Sequence, residues 1–249
     1  MTEARRIVLV TGGASGIGAG VCRRMAADGF TVVVADVNRE LAETVAKEIG
    51  GYAVTLDVTD PASVSQAYAE AEAAVGVKPL VLVNVAGWDE LMPFLESTEE
   101  FSTKVIEINY NGVVRMARVA LPAMVEASWG RIVNVASDAG RVGSMHEAVY
   151  SGAKGGVIAF SKTLAREFAR YNVTVNSVCP GPTDTPLLDK ILAASADSDR
   201  VISSIKRSIP MRRLGTPDDL GPAVTFLASE GASFITGQTL SVSGGLTMA

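Results

Sequence analysis

Short runs of Val, Ile, Leu and Ala alternate along the chain with longer segments in which apolar residues recur every three or four positions. The short runs fall near 6–11, 31–36, 52–57, 80–84, 130–136, 173–179 and 238–242, and the helical patterns near 16–28, 39–49, 61–75, 98–127, 148–171 and 217–229. Runs such as Arg-Ile-Val-Leu-Val at 6–10 are continuously apolar rather than alternating, as in strands buried on both faces. Strands separated by helices predict an α/β fold: a single-domain, doubly wound (Rossmann-type) parallel sheet of about seven strands with helices on both faces. No linker or repeat interrupts residues 1–249, which read as one domain. The rhythm breaks only at 184–213, where short amphipathic pieces carry scattered charge, and this stretch is a candidate substrate lid.

Composition narrows the function classes. The 249 residues are long enough to bury a large core, and at 48% hydrophobic the chain is not of disordered type. Twenty-two basic and 27 acidic side chains leave a net charge of −5, which argues against nucleic acid as a partner and for a small-molecule substrate. Two cysteines, Cys22 and Cys179, and one histidine, His146, provide neither a disulfide framework nor a metal cluster; no metal is expected, and a cytoplasmic setting is the simplest. Arg5-Arg6 before an apolar run resembles the start of a signal peptide, but Thr11-Gly12-Gly13 interrupts the run too early. No stretch approaches the ~18 apolar residues of a spanning helix, so no membrane association is expected.

The first strand leads directly into Thr11-Gly12-Gly13-Ala14-Ser15-Gly16-Ile17-Gly18 and then a helical pattern. Glycines let backbone approach a pyrophosphate, and the free N–H groups of a helix N-terminus favour its charge. The strict Gly-x-Gly-x-x-Gly fingerprint is absent, since Val21 holds its last position; Gly12, Gly16 and Gly18 form a variant. The second strand ends in Asp36, near the ~20-residue offset expected of an acid that binds a ribose 2′-hydroxyl. Asp36 would repel a 2′-phosphate, and neither Ser15 nor Val37 supplies a compensating cation, so the expected cofactor is NAD.

Tyr150 and Lys154 stand four apart on a predicted helix, hence on one face, and Ser137 closes a buried-strand pattern at 130–137. A phenol titrates near ~10 and needs help to act as a base; a neighbouring ammonium lowers that value. Ser137, at the carboxyl end of its strand, can hydrogen-bond a substrate oxygen. This trio is a candidate hydride-transfer site.

Taken in order, the Thr11 to Gly18 turn, Asn84-Val85-Ala86-Gly87, Asn109 in Asn-Tyr-Asn-Gly, Ser137, Tyr150 with Lys154, and Pro180-Gly181 resemble the short-chain dehydrogenase/reductase family over essentially the whole chain. The resemblance implies that Tyr150 is the acid/base, that Ser137 positions and polarises a substrate carbonyl, that Lys154 lowers the tyrosine pKa and binds the nicotinamide ribose, and that Asn109 holds a water in a proton relay. It further implies cofactor contacts from Gly12, Ser15, Gly16, Ile17, Gly18, Asp36, Asp57, Val58, Asn84, Ala86, Gly87, Pro180, Gly181, Thr183 and Thr185. Val85 departs from the pattern, where a second Asn is usual. Other roles stay open: Asp57 can simply end a strand before Thr59-Asp60-Pro61, Thr183 and Thr185 can simply organise a loop, and Asn84 can bond strand to loop.

The expected activity is interconversion of a secondary alcohol and a ketone. Gly87-Trp88-Asp89, Ala136 to Gly143, Cys179 to Thr185 and Ser241 to Met248 resemble the members of the family that oxidise cyclic 2-hydroxyacyl-CoA thioesters. A 3-oxoacyl-thioester reductase and a broad secondary-alcohol dehydrogenase are the alternatives, and a catalytically idle dinucleotide-binding regulator is the remote one. Lys206, Arg207, Arg212 and Arg213 near the lid are candidate contacts for CoA phosphates, against the reading of a solvated face; His146 is a candidate pocket residue against a solvated loop position. Gly155 and Gly156 leave the 148–171 helix a face for close packing, in the core or between subunits, and the resemblance implies a homotetramer.

Overall fold

The computed structural model describes residues 6–193 and 198–248. Seven strands form one sheet in the order β3-β2-β1-β4-β5-β6-β7: β1 (Ile7–Thr11), β2 (Thr31–Asp36), β3 (Tyr52–Thr55), β4 (Val81–Asn84), β5 (Gly130–Val135), β6 (Val173–Pro180) and β7 (Thr239–Val242). Every neighbouring pair is parallel. The fold is therefore the doubly wound sheet that the apolar runs predict. Strands β1, β4 and β5 are buried at every position, as continuous apolar runs require.

Helices α1 (Gly16–Ala27), α2 (Arg39–Ile49) and α3 (Pro61–Val75) follow the first three strands. Their starts carry local signals: Asn38 accepts from the Leu41 N–H, and Asp60 accepts from the Ala62 N–H ahead of Pro61. The expected single helix over 98–127 is instead α4 (Glu99–Ile106), a π turn at Glu107–Asn111, and α5 (Gly112–Glu126). The widened turn inserts Asn109 into the interior, whereas a regular helical pattern distributes residues evenly around its axis. After β5 come the short α6 (Ala139–Val142) and α7 (Ala148–Phe168). The irregular 184–213 segment forms α8 (Pro186–Ala193) and α9 (Ser198–Ser208), and α10 (Pro217–Ala228) precedes β7. Within this candidate lid, 194–197 lie outside the described residues, as does Arg5 of the signal-like start.

Tight packing explains several small residues. A Cβ at Gly20 would lie 2.4 Å from Pro217, and one at Gly221 2.8 Å from Arg24, so α1 and α10 meet through glycines. The glycines on α7 are used within the chain: a Cβ on Gly156 would sit 3.2 Å from the Tyr110 ring, and one on Gly155 3.2 Å from the Gly140 carbonyl. Both glycines therefore serve close packing within the chain.

The order of the sheet reverses between β1, whose neighbour leads outward to β3, and β4, which leads toward β7. Crevices outside the carboxyl ends of strands at such a switch point are where open α/β sheets bind ligands. Thr11 at the end of β1 lies opposite Asn84 at the end of β4, so the glycine turn and the Asn84 to Gly87 loop emerge side by side.

Candidate active site

The glycine turn is built for close approach. Gly12 and Gly16 have φ of +64° and +50°, and a Cβ on Gly12 would lie 2.7 Å from the Ala86 backbone. A Cβ on Gly18 would lie 1.9 Å from the Gly12 carbonyl oxygen, so the first turn of α1 can rest on β1 only with hydrogen at that position. Ser15, the exposed residue before α1, makes no side-chain cap, which leaves the N–H groups of Gly16, Ile17 and Gly18 without a capping side chain at a helix start. Thr11 Oγ1 accepts from the Val85 and Ala86 N–H groups at 3.1 and 3.2 Å, tying the neighbouring loop to the turn. With Asp36 at the end of β2, these groups suit a pyrophosphate and a ribose diol.

Asp36 accepts from Ala14 N at 3.1 Å and Asn38 N at 3.0 Å, which braces its carboxylate beside the turn. Asp57 accepts from both the N–H and the hydroxyl of Thr59, at 2.8 and 2.7 Å, so it organises the approach to α3; buried Val58 packs against Gly112. Asn84 donates to Asn134 at 2.8 Å across β4 and β5, and Asn134 donates to Ser161 at 2.8 Å, a structural chain from sheet to α7. At the end of β6, Gly181 donates its N–H to Val242 O at 3.2 Å, and a Cβ there would meet Ser243 at 2.8 Å. Thr183 donates to Gly181 O, and Thr185 Oγ1 accepts from Leu188 N, so both hydroxyls organise the loop after Pro180 and the start of α8. Thr185 nevertheless lies over the glycine turn, 3.4 Å from a Cβ placed on Gly16.

Tyr150, Lys154 and Ser137 converge at the carboxyl ends of β5 and β6. Lys154 is buried on α7, its Nζ 5.6 Å from the Tyr150 ring centroid, and donates to Val135 O at 3.0 Å. A Cβ on Gly87 would stand 3.5 Å from that Nζ, so the loop after β4 covers the lysine. Burial lowers the Lys154 pKa to about 8.

The surroundings of Tyr150 and Asn109 bear on their expected roles. Lys154 was expected to lower the Tyr150 pKa, yet the phenol is raised above its ordinary value: burial is the largest cause, Asp89 and Glu147 add to it, and Ser137 beside it partly opposes them. Burial weakens the lysine's own charge, which is why proximity alone does not produce a phenolate. Asn109, the residue expected to hold a relay water, has a fully buried amide that clamps the loop after β4: Nδ2 donates to Trp88 O at 2.7 Å and Val105 O at 2.9 Å, and Oδ1 accepts from Trp88 N at 3.2 Å. Both amide protons are thereby committed to protein carbonyls.

A narrow cleft lies at Tyr150, lined among others by Asp89, Met92, Phe101, His146 and Glu147. Trp88 stands behind it, edge-on to Phe101 at 5.7 Å and beneath the Lys104 ammonium at 3.6 Å. His146 lines the cleft while remaining exposed, combining the two alternatives open for it. Asp89 and Glu147 carried no role in the sequence; only the fold brings the loop after β4 against the start of α7, with Met92 N donating to His146 O at 2.9 Å. Arg213 pairs with Asp219 on the surface, at 2.6 and 2.7 Å. Among the described residues there is no group of three or more candidate metal ligands and no helix long and apolar enough to cross a membrane.

The family described as enoyl-(acyl carrier protein) reductase matches residues 12–247. The chain belongs to the short-chain dehydrogenase/reductase family. It is 37% identical over 245 residues to an NAD(+)-dependent 2-dehydro-3-deoxy-L-rhamnonate dehydrogenase of Sphingomonas sp. (strain SKA58), covering 98% of this chain and 96% of the relative. It is 34% identical over 255 residues to the (3R)-3-hydroxyacyl-CoA dehydrogenase of Homo sapiens, covering 97% and 95%. Among solved structures, a variant of actinorhodin polyketide ketoreductase with NADPH superposes with a TM-score of 0.92 at 34% identity, covering 98% of both chains. The chain is thus an oxidoreductase of this family, acting at the alcohol/ketone level.

Proposed function

We propose that this enzyme uses NAD to oxidise a ring-bearing 2-hydroxyacyl-CoA, of the 2-hydroxycyclohexanecarboxyl-CoA kind, to its β-keto thioester. The observation that carries the reaction type is the convergence of Ser137 and Lys154 on Tyr150, which itself lines the cleft. The bound nicotinamide supplies the acceptor for the hydride. Ser137 positions the substrate oxygen, Tyr150 takes its proton, and Lys154 holds the nicotinamide ribose. Asn109 fixes Trp88 and the loop after β4, and it is the residue that would hold the water taking up the proton from the site.

NAD preference is supported by Asp36, whose braced carboxylate would repel a 2′-phosphate. Asp36→Ala should shift the ratio of kcat/KM for NAD over NADP toward NADP by tenfold or more; equal efficiency of the wild type with both cofactors would overturn the assignment. Support for the thioester comes from the hydroxyacyl-CoA-named relative and from Lys206 and Arg207 on the exposed α9, with Arg212 beyond it. Removing CoA should lower kcat/KM sharply, and charge reversal at Lys206 or Arg207 should raise KM for the ester alone. The second reading, oxidation of linear 3-hydroxyacyl thioesters, rests on that same relative. A panel of cyclic hydroxyacyl-CoAs, linear 3-hydroxyacyl-CoAs, deoxy sugar acids and simple secondary alcohols decides between them. We also propose a homotetramer, supported by exposed apolar side chains at Phe226, Phe234 and Met248 and tested by light scattering.

A further inference from the structure

The cleft at Tyr150 is lined by two acids that the reaction does not use, Asp89 and Glu147. Asp89 is 5% exposed, and no well-formed hydrogen bond reaches either of its carboxylate oxygens; its near neighbours are Glu147 and the Glu90 backbone. A buried carboxyl so weakly partnered is expensive unless something supplies it with a better partner. Glu147, at the start of α7, makes no side-chain cap with that helix and shares the cleft with Asp89 and Tyr150. The other titratable groups lining the cleft are Glu90 and His146, and Lys154 lies behind Tyr150, hydrogen-bonded to Val135 O.

We propose that Asp89, paired with Glu147, is a specificity-determining residue: it receives an uncharged hydrogen-bonding group next to the reacting carbon, such as an ester, thioester or amide carbonyl, and rejects a carboxylate there. Two ionised carboxylates cannot bond one another, so the arrangement holds only when a proton sits on one of them. Burial is the largest reason that Asp89 holds its proton well above the usual carboxylate range, with Glu147 adding through a hydrogen bond and through its charge. A neutral Asp89 can donate to an acyl oxygen. An incoming carboxylate meets instead a second acid, Glu147, and finds no lining cation except what His146 supplies. A thioester, one carbon from the carbinol, satisfies the wall; its free acid does not. The inference deepens the proposed substrate reading and rests on it for the choice of a six-membered ring.

The test is binding to the full-length protein saturated with NADH, by calorimetric titration with cyclohexanecarboxamide and with cyclohexanecarboxylate, so that turnover is not required. The wild type should bind the amide at least about tenfold more tightly, the scale expected of a like charge at short range in a partly desolvated site. Asp89→Asn and Glu147→Gln should each narrow that ratio by improving the carboxylate's affinity. Asp89→Asn is nearly isosteric, and Glu147 is half-buried at a helix start, so both variants should fold, as checked by an unchanged affinity for NADH. Equal binding of the two ligands to the wild type, an unchanged ratio in both variants, or no binding of either ligand would overturn the inference. If the ratio behaves as expected while no CoA ester is oxidised, the carboxyl wall stands and the thioester reading fails.

Discussion

At the residue scale, burial rather than a neighbouring charge dominates the reactive groups. Tyr150 is raised in the cofactor-free protein, so its phenol should not ionise alongside exposed tyrosines: absorbance titration of wild type and Tyr150→Phe should give equal phenolate amplitudes up to pH 10. The same substitution should lower kcat by at least about a thousandfold with NAD binding largely intact, since it removes the proton acceptor and keeps the ring. Lys154 is lowered from 10.5 to about 8, and the sign follows from proton counting. Between about pH 8 and 10.5 the unfolded chain binds more protons than the folded one, so this group's contribution to stability rises with pH through that window. Below it, the buried ammonium destabilises the fold by an amount on the order of a few kcal/mol, offset by about 1 kcal/mol from its bond to Val135 O. Lys154→Met should therefore flatten the rise and be at least as stable as wild type at pH 7 in urea unfolding, while losing activity.

At the scale of elements, the site depends on three close approaches: α1 on β1, the β4 loop on the glycine turn, and α6 on α7. Gly18→Ala places a carbon 1.9 Å from the Gly12 carbonyl, which nothing short of moving α1 relieves. Gly140→Ala places one 2.7 Å from Gly155 N and 2.9 Å from Lys154 Cβ, so it pushes on the helix carrying both Tyr150 and Lys154. Each should destabilise by about 2 kcal/mol or more, read as a lower urea midpoint with an unchanged slope. Gly152→Ala on the same helix meets nothing within 4 Å and should be neutral to slightly stabilising. If Gly140→Ala matches Gly152→Ala in stability, the packing account of α6 and α7 is wrong.

For the whole molecule, ligand and fold are linked through the carboxyl edge of the sheet. In the proposed site NAD would draw on groups from β1, β2, β4, β6 and α7, so it should stabilise all of them together. At one hundred times its Kd it should add about 2.7 kcal/mol, seen as a single cooperative transition shifted upward in temperature. Asp36→Ala should lose much of that shift for NAD while its cofactor-free melting falls only modestly, because its carboxylate bonds two backbone N–H groups, one part-buried and one exposed. An unchanged NAD-dependent shift in that variant would place the ribose elsewhere.

The order and type of elements were legible in the chain because buried parallel strands need unbroken apolar runs, and because Asn38, Asp60-Pro61 and the glycine turn mark helix starts locally. Ser137, Tyr150 and Lys154 were legible for the same reason: a strand end and a four-residue helical spacing determine where such side chains emerge. Tertiary structure alone decided the rest. The π turn that turns Asn109 inward leads straight into Gly112, which packs against Val58 from a distant segment. The raised Tyr150 and lowered Lys154 depend on desolvation, which belongs to the packed interior and to no residue in isolation. Asp89 and Glu147 face one cleft because a loop after β4 folds against the start of α7, and no periodicity within either segment encodes that meeting.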